Sequence, residues 1–301
     1  MRSSRALLWV ALGAALWGTD TLFRRTLTAA LESSRIVLYE HLILTVLLLP
    51  VCWRGRREWI SLKPLQWAAV LGTSWGGSAL GTVCFTEAVR IGNPTTAVLL
   101  QKIQPVFAAL LARALLGESL GRRFWMWLTL ALAAGWLISF GAAWPPAAPV
   151  SVRAALWATA AAALWGSSTV LGRYLLNAVS FQTLTGLRIV LAVPLLLGLA
   201  AGDSRGAVSA RQGITLLTLA LVPGLLALLV YYRGLRGALA SRAAIAELSF
   251  PATATLLNYA FFGARIAWVQ AAGFVLLWIV ILSLGKDRRV VYSPRKELSD
   301  A

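Results

Sequence analysis

Ten windows of about 20 residues, rich in Leu, Ala, Val, Gly and Trp, follow one another along the chain. They cover 6–23, 35–53, 66–86, 95–116 and 124–143, then 154–172, 181–201, 213–232, 239–262 and 267–284. A helix needs roughly 20 apolar residues, each rising ~1.5 Å, to cross a hydrocarbon core of ~30 Å. No window carries the residue-by-residue alternation of an outer-membrane barrel strand. The pattern predicts an all-α integral membrane protein with ten transmembrane helices and short loops, leaving no room for a soluble domain. Composition agrees, since 13% of residues are charged and 59% hydrophobic, against about a quarter charged in soluble domains.

The windows repeat. ALWG stands at Ala15–Gly18 and again 148 residues later at Ala163–Gly166, and at the same offset Trp9 matches Trp157, Thr21 matches Thr169 and Arg25 matches Arg173. Further on the offset is 146, pairing Arg90 with Arg236, Pro105 with Pro251 and Gly117 with Gly263. The chain therefore divides into residues 1–145 and 146–286, five helices each, and a basic tail 287–301. Five is odd, so the second unit enters the membrane from the opposite face, giving two inverted five-helix repeats. Secondary transporters are built this way, because two inverted halves can rock about a site at the midplane. The repeat also assigns the first window, which follows Arg2 and Arg5 like the core of a leader peptide, as a retained span.

The net charge of +17 would suit nucleic acid, but its distribution reads as topology. The side holding both termini carries 18 Lys and Arg, and the opposite side 8. Cytoplasmic loops hold the excess of basic residues, so both termini are expected in the cytoplasm of a multi-pass inner-membrane protein. Lipid is then the bulk partner and no nucleic acid is expected. With two cysteines, Cys52 and Cys84, and one histidine, His41, neither a disulfide framework nor a multi-His metal site is available.

The segment PVFAALLARALLGESL (Pro105–Leu120) resembles the signature of EamA-type transporters in the drug/metabolite transporter superfamily. ALWG near the start of each half fits the same family over the whole length. The resemblance implies an inner-membrane carrier, usually an exporter of amino acids, metabolites or drugs, with no universal catalytic residues. The chain departs from the pattern at Ala264, where the first half has Glu118, and at Glu40, the counterpart of Arg188.

Charged residues deep in a span cost about 2.5–3.5 kcal/mol each on insertion scales and usually face a bundle interior. Glu40, Lys102, Arg188 and Glu247 each lie several residues inside a window, about 10 Å below a surface at ~1.5 Å per residue. Glu40 and Lys102 share one depth and Arg188 and Glu247 another, which predicts one acid–base pair per half. These pairs either hold each half together or border the substrate path. Pro105 and Pro251 fall mid-helix, where a proline ring displaces the carbonyl four residues back, here those of Gln101 and Glu247. Kinks are expected there, with Gln101 and Gln104 sharing a face. Trp17 and Trp165 join the candidate path as the repeated tryptophans of ALWG, while Asp20, Glu87 and His41 read as solvated interface positions.

A carrier of small organic solutes, working by alternating access, is the function these features favour. The absence of GxxxxGK[ST] disfavours direct ATP coupling, which leaves protons, through Glu40 or Glu247, or the solute's own gradient. No cofactor or metal is expected, and the sequence sets no oligomeric state. An intramembrane enzyme is disfavoured by the lack of HExxH or paired intramembrane aspartates; a non-transporting scaffold or sensor is the other alternative. Acid and base together suit a zwitterion such as an amino acid. Fusions at each end should give fluorescent green protein and inactive alkaline phosphatase, as cytoplasmic ends require; ends on different faces would break the inverted-repeat reading.

Overall fold

The computed structural model describes residues 3–92, 100–140, 151–203, 208–262 and 267–286, and these are helical with short connections. The tail 287–301, the division between the halves at 145/146, Ala264 and part of the fourth window lie outside them. The first half contains α1 (Ser3–Trp17), α2 (Asp20–Thr28), α3 (Ser33–Arg54) and the short α4 (Arg56–Ile60). It continues through α5 (Pro64–Leu71), a π-helical stretch (Gly72–Leu80), α6 (Gly81–Ile91), α7 (Gln104–Leu116) and α8 (Arg122–Phe140). The second half contains α9 (Val152–Leu175), α10 (Phe181–Val190), α11 (Val193–Leu199) and α12 (Ala210–Leu219). A second π-helical stretch (Ala220–Leu226) leads into α13 (Ala227–Leu235), followed by α14 (Ala240–Ala246), α15 (Ser249–Phe262) and α16 (Trp268–Lys286).

Among the described residues, seven helical runs are long and apolar enough to cross a membrane. The three remaining windows differ for physical reasons. The third is helical from Pro64 to Ile91, but the glycines, serines and threonines of Gly72–Gly81 dilute its apolar character. The fourth is interrupted by a turn at Lys102–Ile103 and the ninth by a turn at Glu247–Leu248.

Proline chemistry accounts for these interruptions. Pro105 and Pro194 stand in the first turn of α7 and α11, and Pro251 is the third residue of α15. A ring without an N–H is harmless at a helix start and disruptive inside one. Pro105 and Pro251 are therefore not kinks in continuous helices, as the sequence suggested. Each opens a new helix after a turn. The Glu247 carbonyl is not left free either, because it accepts the Phe250 N–H at 3.0 Å. The π-helical stretches occupy equivalent places in the two halves, one glycine-rich and the other holding Pro223, and such wide turns are frequent at functional sites.

Packing joins the halves to each other. Helix α1 lies along α13 and α15, and α9 lies along α6 and α7; α3 packs on α10 and α8 on α16. The α1–α13 seam is close because it is lined by glycine. A Cβ on Gly13 would sit 2.7 Å from the Tyr231 backbone nitrogen, and one on Gly234 2.6 Å from that of Val10. Small residues at such crossings replace the hydrophobic drive that lipid removes. Outside the spans, burial alone would raise the Glu58 pKa, but the Ser180 N–H at 2.7 Å and the Thr183 hydroxyl hold it below the usual carboxylate range. Glu58 thus ties the α4 connection of one half to the start of α10 in the other. Ser34, at the start of α3, bonds Asp203 in the reciprocal position.

The seam predicts a clear contrast. Gly13→Val or Gly234→Val should cost about 1–3 kcal/mol through overpacking, visible as a lowered thermal midpoint of purified protein. Gly213→Ala, where nothing lies within 4 Å, should leave the midpoint unchanged or slightly raised.

Candidate functional site

A cavity of about 120 Å³ lies among the helix interruptions. The α1–α2 break contributes Trp17 and Asp20, the two turns contribute Gln101, Gln104, Glu247 and Phe250, and the π-helical stretches contribute Ser78, Pro223 and Gly224. Backbone that leaves a helix in the apolar layer is tolerated where it lines a cavity, so this clustering is physically required.

Two aromatic pairs flank the space. Trp17 packs against Tyr231 with ring centroids 4.7 Å apart and planes tilted by 44°, and Trp165 against Phe85 at 5.2 Å and 45°. By the sequence offsets, Trp165 is the counterpart of Trp17 and Tyr231 that of Phe85. Each pair therefore joins a helix of one half to a helix of the other. The Trp165 indole N–H is fixed by the Gly77 carbonyl at 2.9 Å.

Seven of the eight residues singled out in the sequence face this cavity: Trp17, Glu40, Gln101, Gln104, Trp165, Arg188 and Glu247. Lys102 does not. Its ammonium turns towards α8, donates to the Gly135 carbonyl at 2.7 Å and to the Ser139 hydroxyl, and lies over the Phe140 ring. Gly135 has no side chain to block that approach. Lys102, Pro105 and Pro251 line a smaller cavity of about 20 Å³ behind the first.

The expected acid–base pairs are replaced by other partners. Glu40 pairs with Arg24 at 3.2 Å, and Arg24 also holds Asp20 at 2.5 Å and the Thr86 hydroxyl at 3.1 Å. Arg188 donates to Ser78 at 2.6 Å and to the Tyr232 hydroxyl at 2.8 Å. Glu247 accepts from Tyr231 at 2.6 Å, from Thr169 at 3.0 Å and from Gln104. Among the described residues no ion pair within 4.0 Å includes Lys102, Arg188 or Glu247. Neutral donors and acceptors from neighbouring helices are nearer than the opposite charge, and they satisfy each group locally.

Arg24 escaped the sequence reading: it is one of the eight basic residues on the side opposite the termini, yet it is 2% exposed. Asp20 and His41, expected at a solvated interface, line the cavity. The detectable signal was the acid and base four apart directly after ALWG, which places them on one helix face. Glu40 and Arg188 occupy matching niches. A Cβ on Gly224 would lie 3.2 Å from Glu40, and one on Gly77 3.0 Å from Arg188. Each charge thus sits against the π-helical stretch of the opposite half, with the sign reversed.

Known proteins resemble this one over nearly its whole length. The EamA-like transporter family model matches residues 4–140 and again 152–285. The riboflavin transporter ImpX of Fusobacterium nucleatum subsp. nucleatum is 32% identical over 295 residues, covering 94% of this chain and 98% of that protein. A protein solved as a crystal structure shares the fold with a TM-score of 0.75 at 18% identity, over 93% of this chain and 96% of its own. Family and relative point to a multi-pass membrane transporter rather than an enzyme. This chain belongs to the EamA-like transporter family.

Proposed function

We propose that the protein is a secondary carrier that moves a planar, polar aromatic solute, riboflavin or a close chemical relative, across the cell membrane by alternating access. In this reading the chain crosses the bilayer ten times as two inverted five-helix halves, residues 1–145 and 146–286, with cytoplasmic termini and a basic tail 287–301. The exchange of packing partners supports it: α1 meets α13 and α15 as α9 meets α6 and α7. The observation that carries the cargo class is the cavity itself, bounded by Trp17 on Tyr231 and Trp165 on Phe85. Flat rings stack favourably on such aromatics, and the riboflavin transporter named above is similar over its full length. Export, which the family resemblance implies, is one direction of a cycle that two inverted halves can run either way. No metal or cofactor takes part.

Glu247 is the candidate proton carrier. Its carboxylate is hydrogen-bonded only by neutral donors, with no cation bonded to it directly. Glu40 is less suited, being held by Arg24 at 3.2 Å. Lys102, Pro105 and Pro251 mark where the broken helices meet, and movement of the half-helices there would open the path. A second reading, an amino acid or other zwitterion, is favoured by Arg188 and Glu247 facing one cavity.

Proteoliposomes separate these readings. Labelled riboflavin should exchange across the membrane, with excess amino acids failing to compete. Trp17→Ala and Trp165→Ala should each lower exchange about 5- to 150-fold, since base-like stacking on an aromatic is worth roughly 1–3 kcal/mol, while protein remains in the membrane. Competition by amino acids in place of flavins would favour the zwitterion. Glu247→Gln should abolish accumulation driven by a pH gradient yet retain exchange; unchanged accumulation would remove Glu247 from coupling.

A further inference from the structure

One cavity-lining group remains without a task. His41 is 2% exposed, and its Nδ1 lies 2.8 Å from the Val37 carbonyl oxygen. A carbonyl cannot donate, so Nδ1 carries the proton and Nε2 presents a lone pair. Nε2 is buried and has no partner in the protein, although buried polar atoms are rarely left unbonded. Arg188 lines the same cavity, and its bonds to Ser78 and Tyr232 use Nε and Nη1, leaving Nη2 out of both.

We infer that His41 and Arg188 form the recognition edge of the cavity and bind the rim of a flat heterocycle where an N–H adjoins a carbonyl. His41 Nε2 accepts the N–H and Arg188 Nη2 donates to the carbonyl, while the aromatic pairs take the ring faces. The imide edge of a flavin has this arrangement, as do related pyrimidinediones. The inference rests on the carrier reading above and extends it by naming which atoms of the cargo are read and by which side chains.

The test measures binding of riboflavin and of N3-methylriboflavin, which lacks the imide N–H, by quenching of flavin fluorescence in purified protein. The unsubstituted protein should bind riboflavin about 10- to 100-fold more tightly, the usual penalty for leaving a buried acceptor unpaired. His41→Asn places its amide near Nδ1, keeps the Val37 contact and removes the unpaired Nε2 acceptor. It should bind both flavins equally and weakly. His41→Gln, whose amide reaches the Nε2 position, should restore most of the preference; a merely structural histidine would not separate the two variants in this way. Equal binding of both flavins by the unsubstituted protein overturns the inference whether or not any variant folds, as does undiminished preference in His41→Asn. Failure of the unsubstituted protein to bind either flavin overturns the cargo reading itself, and this inference with it.

Discussion

The constraint on which the structure depends is that backbone in an apolar layer must satisfy its own hydrogen bonds. Continuous helices meet it anywhere, including against lipid. Interrupted ones meet it only where protein or a cavity supplies partners. Here the breaks before α2, α7 and α15 and the two π-helical stretches all border one space. The cavity is thus a consequence of where the helices are allowed to fail. The turn at Glu247 shows the economy of the arrangement, with its carbonyl taken by Phe250 and its carboxylate by three neighbouring side chains.

Charge follows the same logic at a larger cost. An ionised group transferred to low dielectric needs partners close by, and the protein supplies them in two ways. Arg24 is compensated by two carboxyl groups, Asp20 and Glu40. Arg188 and Glu247 are instead solvated by hydroxyls and an amide from adjacent helices. The second arrangement leaves formal charge facing the cavity. A merely structural pair would have closed on itself.

Much of this was legible in the sequence, and the rest was not, for definable reasons. Hydrophobic windows and the ALWG repeat located the helices, because span length and composition are set by the bilayer. The same repeat singled out Trp17 and Trp165, and burial cost singled out Glu40, Arg188 and Glu247. Depth along a helix axis, however, says nothing about azimuth. Glu40 and Lys102 lie at one depth but project to α2 and α8, so the pairing inferred from depth failed. Arg24 looked like a loop residue because the window that ends near it is followed by a second short helix, α2, which returns the side chain to the interior. Tyr231 and Thr169 carry no unusual charge and are recognisable only once Glu247 is seen to need donors.

The two halves are alike in backbone and unlike in chemistry, and that combination is informative. Equivalent positions hold Trp17 and Trp165, which are identical, but also Glu40 and Arg188, Gln101 and Glu247, Phe85 and Tyr231, Gln104 and Phe250. Aromatic character is retained in the walls, while charge and polarity change at Glu40 and Arg188 and at Gln104 and Phe250. The proposed alternating access would draw on this likeness, since the packing of α1 on α13 has a counterpart in that of α9 on α6. Under the proposed function the cargo, having no such symmetry, would be met by the acidic niche of Glu40 and the basic niche of Arg188 on opposite π-helical stretches. In the carrier proposed above, equivalent backbone with inverted charge would let a nearly symmetric motion act on an asymmetric solute, orienting it once in the cavity without tying the protein to one open face.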